Sequence, residues 1–524
     1  MKNPDKRIGT ENLGSLYTEG RVRSRREWRG VPDTMYDYSR WLYNWVTMFR
    51  VVLSKPRNIK AMLRYRWMAN YLAVPMMVDR HTQGLRGEHL RICHVEQDLI
   101  IEDVAKLLDK LFRGDRRIGN DKAFSDKVVL VDENEMQSLM MGFPTLVPLS
   151  REIASTYIPV LLNQRAALHY IDVAQEYGLS GDVCPMPEAE AGVSIDDDAP
   201  VLGKCAVQCN TTCDGSLMGN SVISKRLELE DGVPVFQLAT PLRHQEPDVQ
   251  EYAAQEIRNA IAFIEEQTGE KWDWTHYFEC AKRVNYATKC RMEWLDMNKT
   301  QYPQVFGSNL ALYTETNYMA ISGRVAAFED ADRKITALAE KAYQKKKMAS
   351  NEYRHRAIVW GVQSHYYMDF LVWLLNCWGI VPLTDMLSMV STKMIADTDT
   401  PENREQAIYD IAWLTENMIM RNRTHGGYKV LLDELWEIVE EFNADMVILW
   451  EHMSCKALDG MHGLFEERAR EKGIHLVWVG HDLFDPRVIS RQGVRDQINS
   501  YMRTVMQEEP VDPSLEVLND AESW

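Results

Sequence analysis

Between residues 33 and 80 apolar side chains recur every three or four positions, first in TMYDYSRWLYNWVTMFRVVLSK and then in IKAMLRYRWMANYLAVPMMVD. That spacing follows the 3.6-residue helical turn, so it predicts two amphipathic helices. Their aromatic stripe reads as core or subunit contact in preference to a cofactor box. A third helical stretch, IIEDVAKLLDKLFRG, leads to a first strand candidate, KVVLVDE at 127–133. Past about residue 140 the pattern changes to short β-branched runs alternating with helices. Strand candidates are CAVQC, PVFQLA at 234–239, AIVWGV at 357–362, DMVILW at 445–450 and HLVWVG at 475–480. The alternation predicts an α/β fold. The expected division is a helical N-terminal extension at 1–140, a first α/β domain at 141–250, a helical connection at 251–350 and a second α/β domain at 351–524. No short-period repeat or low-complexity tract interrupts it.

Composition narrows the class. Across 524 residues, 45% hydrophobic and 26% charged positions with 15 tryptophans describe an ordered globular protein. The net charge of -17 opposes broad contact with nucleic-acid phosphates, so no nucleic-acid partner is expected. The basic stretches GRVRSRREWRG and SKPRNIKAMLRYRW read as a solvated arm more readily than as an RNA or membrane contact. Docking of an anionic, nucleotide-bearing ligand is a third reading. No charged-then-apolar leader opens the chain and no run of about 18 apolar residues occurs, so the expectation is a cytoplasmic protein without a membrane partner. Nine cysteines, an odd number, point to free thiols or metal ligands rather than a disulfide framework.

The thiols carry the candidate chemistry. In KCAVQCNTTCDGS, residues 204–216, Cys205, Cys209 and Cys213 fall four apart. Zinc knuckles use paired C-x2-C spacing and a fourth ligand, which this segment lacks. The tight C-x3-C-x2-C of radical-type iron–sulfur proteins is absent too. On one face of a strand, Cys205 and Cys209 read as small buried hydrophobes, whereas Cys213 lies in the turn beyond. Cys455 sits just past the DMVILW strand, and open parallel sheets hold ligands at strand carboxyl ends. Cys184, in YGLSGDVCPMPEAEAG, precedes Pro185 in a loop where a thiol gains little from packing. Three soft ligands from separate loops suit an iron–sulfur cluster and leave one iron free for a substrate oxygen. Glu451 and His452 are candidate proton carriers, with a structural, hydrogen-bonded histidine as the other reading. His481, Asp482, Asp485 and Arg487 in GHDLFDPR read as a turn and helix cap. RTHGGYK at 423–429 reads equally as a phosphate contact through Lys429 or as a helix-initiating turn.

Four blocks carry a family likeness. They are AQEYGLSGDVCPMPEAEAG, CNTTCDGSLMGNSVISKRLELEDGVPVFQLATP, QEIRNAIAFIEEQTGEKWD and ADMVILWEHMSCKALDGMHGLFEERAREKGIHLVWVGHDLFDPR. From about residue 140 to 507 the chain resembles the 2-hydroxyacyl-CoA dehydratase family, which includes the ATP-dependent benzoyl-CoA reductases. The resemblance implies two flavodoxin-like (Rossmann-type) domains with parallel sheets. It also implies that Cys184, Cys213 and Cys455 ligate one [4Fe-4S] cluster and that a paralogous second subunit pairs with the chain. The implied activity is that of an oxygen-sensitive lyase: water leaves an (R)-2-hydroxyacyl-CoA through a ketyl radical after one-electron reduction. The family takes that electron from a separate ATP-hydrolysing iron–sulfur activator, and this chain carries no GxxxxGK[ST] phosphate loop. Two alternatives stay open, a subunit of an aryl-CoA reductase and a non-catalytic scaffold paralogue. PMPE replaces the aromatic-Arg pair frequent after the first cysteine in dehydratases, and the first 140 residues exceed the family core.

Overall fold

Among the described residues, eight short apolar runs form two four-stranded sheets in which every neighbouring pair is parallel. The first holds β1 (Val128–Val131), β2 (Val147–Leu149), β3 (Cys205–Asn210) and β4 (Val235–Ala239) in the order β2-β1-β3-β4. The second holds β5 (His355–Trp360), β6 (Ile380–Asp385), β7 (Met446–His452) and β8 (His475–His481) in the matching order β6-β5-β7-β8. This computed structural model describes residues 28–131, 137–210, 213–239, 241, 246–319, 326–350, 352–389, 393–416 and 428–517. The shared strand order is flavodoxin-like, which makes the molecule an α/β protein of two such units, as expected. Six strands follow the sequence pattern. The other two, β2 and β6, carry Pro148 and Pro382 within three- and six-residue runs. Both lie at a sheet edge, where a missing N–H costs least.

Helices cover the sheets. The principal ones are α1 (Val31–Leu53), α2 (Gly87–Gly114), α3 (Leu168–Tyr177), α4 (Pro185–Ile195), α5 (Asp214–Arg226), α6 (Pro247–Thr268), α7 (Trp274–Lys299), α8 (Ala326–Gln344), α9 (Pro401–Glu416), α10 (Lys456–Asp459), α11 (His462–Lys472) and α12 (Arg491–Thr504). The 33–80 stretch, expected as two helices, is α1 followed by three shorter helical pieces at 56–64, 66–73 and 74–80. Pro56 and Pro75 each stand at the start of a new piece, because proline has no N–H to continue the preceding turns.

Strand alternation divides the interior. Val128 and Leu130 of β1 face a large core shared with Trp360 and Trp450 of the second sheet, whereas Val129 and Val131 face a smaller one built with α6, α7 and α9. β1 thus lies ahead of the boundary expected at residue 141, and α9, from the second unit, packs on α6 beside the first sheet. At the other end α2 is tied to α1 through His94, whose Nε2 is 2.9 Å from Asp37 Oδ1. Among the described residues no helix is long and apolar enough to cross a membrane.

Candidate functional site

In each sheet the chain leaves the first strand toward one neighbour and returns to the other side, so a crevice opens beyond the carboxyl ends of β1 and β3, and of β5 and β7. Cys213 follows β3 by three positions and Cys455 follows β7 by three. Each occupies the residue before a helix, α5 and α10 respectively, and Cys184 stands in the same place before α4. Neither Cys213 nor Cys455 caps its helix by accepting an N–H, whereas the Cys184 sulfur faces the Met186 N–H in the first turn of α4.

Glycines bring two of these helix starts together. A Cβ on Gly215 would stand 3.6 Å from Cys184 Cβ and 3.3 Å from Pro187 Cγ, and one on Gly219 would be 2.9 Å from the Pro187 carbonyl oxygen. Hence α5 crosses α4 with backbone against side chain, and the turn holding Cys213 abuts Cys184. On the opposite side of α4 a Cβ on Gly192 would fall 2.0 Å from the Tyr170 carbonyl oxygen of α3. From the second unit, Lys456 Nζ reaches Asp182 Oδ2 at 3.0 Å, joining the start of α10 to the loop before Cys184.

The sulfurs also sense one another. Burial pushes the Cys184 thiol well above its ordinary value; the Met186 N–H opposes this, and Cys213, Asp482 and Cys455 reinforce it. The other six cysteines are buried, and only Cys184, Cys213 and Cys455 are partly exposed. Cys205 and Cys209 share the small core with Val207, on one face of β3, and burial pushes the Cys205 thiol up to about 12. Among the described residues no group of three His, Cys, Asp or Glu side chains is placed to hold a single metal ion. The partly exposed thiols are a soft donor set, of the kind that suits an iron–sulfur cluster better than a hard cation.

Of the two candidate proton carriers, the structure brings one to the thiols. His452 is buried, with Nε2 3.3 Å from Cys184 Sγ and Nδ1 3.9 Å from Asp482 Oδ2. Burial lowers its pKa to about 4, so the ring is neutral near pH 7 and has one N–H to offer the sulfur. Glu451 precedes it on β7 and so projects from the opposite face, where it accepts from His462 Nδ1 at 3.0 Å. GHDLFDPR forms the turn its sequence suggests: Asp482 Oδ1 accepts from the N–H groups of Phe484 and Asp485, and Asp485 from that of Arg487. Asp482 nevertheless acts electrostatically on Cys184, and its own carboxyl is pushed up to about 6, chiefly by burial. Residues 423–427, the first part of RTHGGYK, and the Lys429 side chain lie outside the described residues.

One group escaped the sequence reading. Glu188 lies one helical turn after Cys184, buried, with Oε2 accepting from Gln175 Nε2 at 3.3 Å. Burial pushes its pKa up to about 7, aided by Asp482 and Asp485 and opposed by Gln175 and Arg487. The i,i+4 spacing in CPMPE is the one trace of this in the sequence.

Two comparisons bear on identity. A search of curated proteins finds no match for the chain. The family model described as 2-hydroxyglutaryl-CoA dehydratase, D-component, matches residues 147–504, which include all three cysteines, both sheets apart from β1, and the turn after β8. With that match covering well over half of its length, the chain belongs to the 2-hydroxyglutaryl-CoA dehydratase D-component family, whose members are dehydratase components.

Proposed function

We propose that the chain is the cluster-bearing subunit of an iron–sulfur 2-hydroxyacyl-CoA dehydratase, with Cys184, Cys213 and Cys455 as ligands of one [4Fe-4S] cluster. The observation that carries this reading is that, of nine cysteines, these three alone are partly exposed, and each stands at the head of a helix, two of them just beyond strand ends. Held by these three residues, such a cluster would supply one-electron and Lewis-acid chemistry.

The chain's own residues do the rest. Three thiolates hold the cluster, and the amino ends of α4 and α5 favour its negative charge. His452 donates its N–H to the Cys184 sulfur, which fixes the sulfur's orientation and withdraws electron density from it. The substrate is an (R)-2-hydroxyacyl-CoA whose β-proton is barely acidic until the thioester carbonyl has gained one electron and the resulting ketyl has expelled the neighbouring hydroxyl. A base near neutrality then suffices, and of the two raised carboxyls on this wall Glu188, pushed up to about 7 against about 6 for Asp482, is the nearer to that range. The electron comes from an ATP-hydrolysing iron–sulfur activator, and a paralogous second subunit completes the component. Exposure of the cluster to oxygen inactivates the enzyme.

Product analysis under strictly anaerobic conditions, with the second subunit and activator supplied, tests this. The expected result is a 2-enoyl-CoA formed with far fewer electrons consumed than turnovers. Two electrons consumed per product would assign the subunit to aryl-CoA reduction, and unchanged activity after Cys213→Ser would assign it to a scaffold role. Glu188→Gln lowers kcat about 100-fold with iron content retained.

A further inference from the structure

Helix α1 is turned inside out. Its buried positions are Asp37, Asn44, Met48 and Val52, and Arg29 and His94 clamp Asp37 from α2 and the chain before α1. Its outward face is apolar, with Met35 69% exposed, Leu42 57% and Leu53 64%. Arg50 is the one exposed charged residue on the helix. A stripe of this size is more than scattered surface apolarity.

The spacing along the stripe is symmetric. Leu42 is the midpoint of Val31–Leu53, and about it Tyr38 and Val46, Met35 and Phe49, and Val31 and Leu53 are equidistant, all of them exposed. Trp41 and Tyr43 flank the midpoint in the same manner. A helix laid antiparallel on an identical helix, with the two-fold axis at Leu42, therefore sets each exposed apolar residue opposite another. We infer that α1 is the contact through which two copies of this chain form a two-fold symmetric dimer. An isologous interface requires a surface that complements itself, and this one does. In that arrangement Arg50 of one copy approaches the Asp33 end of the other.

Two further observations favour a second copy. The helix is 23 residues long, about 34 Å. Covering the exposed parts of its aromatic and aliphatic side chains removes on the order of 800 Å² per copy, the size of a standard specific interface. A membrane-surface helix instead lines its flanks with free cations, whereas Arg40 is paired with Asp98 at 2.6 Å and the chain as a whole carries a charge of -17.

Sedimentation equilibrium on the full chain, purified without its second subunit, tests the inference. The wild type is expected to be a dimer at 10 μM or so. Leu42→Glu should raise the dimer dissociation constant at least 100-fold, with circular dichroism and iron content unchanged. Val46→Glu serves as a second variant should Leu42→Glu misfold. Leu42→Cys should give a disulfide joining two copies of the same α1 peptide through the substituted position in the mass spectrum and Leu53→Cys should not, because at an antiparallel two-fold only the residue on the axis meets its own copy. A monomeric wild type, or a dimer indifferent to both glutamates, overturns the inference. So does flotation with phosphatidylcholine/phosphatidylglycerol vesicles that Leu42→Glu abolishes, or loss of the second subunit from a monomeric chain through the same variant. The cluster reading stands or falls separately, on iron content.

Discussion

A thiol's role here follows from what surrounds it. Cys205 and Cys209 sit inside a strand among valines, which makes them small hydrophobes, whereas Cys184, Cys213 and Cys455 stand where a chain turns into a helix. That distinction was legible, because strand ends can be read from a β-branched run and its following turn. Glu188 was not, since its burial depends on α4 being wedged between α3 and α5, and no local pattern records that. Its titration has a consequence. With the folded pKa near 7 and an unfolded value near 4.5, the native state binds more protons than the unfolded chain between those limits. Stability attributable to this site therefore falls as pH rises from 4.5 to 7 and stays low above. Urea unfolding should find Glu188→Gln more stable than wild type at pH 8 by up to about 3 kcal/mol and equal to it at pH 4. Glu88 runs the other way. Burial alone would raise its pKa, but Lys347 at 2.6 Å and Lys341 at 3.2 Å hold it down to about 2. The stabilisation is complete above about pH 4.5 and is lost as pH falls toward 2. Because the lysines are half exposed, Glu88→Gln should cost only about 1 kcal/mol at pH 7 and nothing near pH 2.

At the scale of elements, the six strands with uninterrupted apolar runs were readable and the two proline-bearing edge strands were not. A proline in a short run argues against a strand unless the edge position is known, and edge position is a property of the assembled sheet. The aromatic stripe of α1 was readable as a stripe, but which way it faced depends on Asp37 being drawn inward by Arg29 and His94. The packing of α4 was likewise invisible in sequence, although the structure rests on it: Gly192 leaves no space for a methyl against the Tyr170 carbonyl. Gly192→Ala must push α4 away from α3. The expected loss is about 2–3 kcal/mol in thermal or urea unfolding, accompanied by lower iron content because Cys184 heads the displaced helix. A Gly463→Ala control, where a Cβ meets nothing within 4 Å, should leave both unchanged.

At the scale of the whole molecule, the three partly exposed thiols are drawn from both units. Cys184 and Cys213 come from the first and Cys455 from the second, and the two are held in register by a common core, by Lys456 on Asp182 and by Arg487 on Asp172 at 2.9 Å. The composition change near residue 140 marks the start of the alternating pattern, but it does not show that the preceding strand already belongs to the first sheet; β1 is four residues long and looks like any buried apolar run. The family match from residue 147 to 504 spans all three thiols. The most direct measurement is iron and acid-labile sulfide quantification with EPR on the anaerobically reduced protein, each cysteine replaced by serine in turn. The account predicts about four iron and four sulfide per chain, lost in Cys184→Ser, Cys213→Ser and Cys455→Ser and kept in the other six variants. Loss through Cys205→Ser or Cys209→Ser with retention in Cys213→Ser would contradict it, as would a wild-type chain that binds no iron.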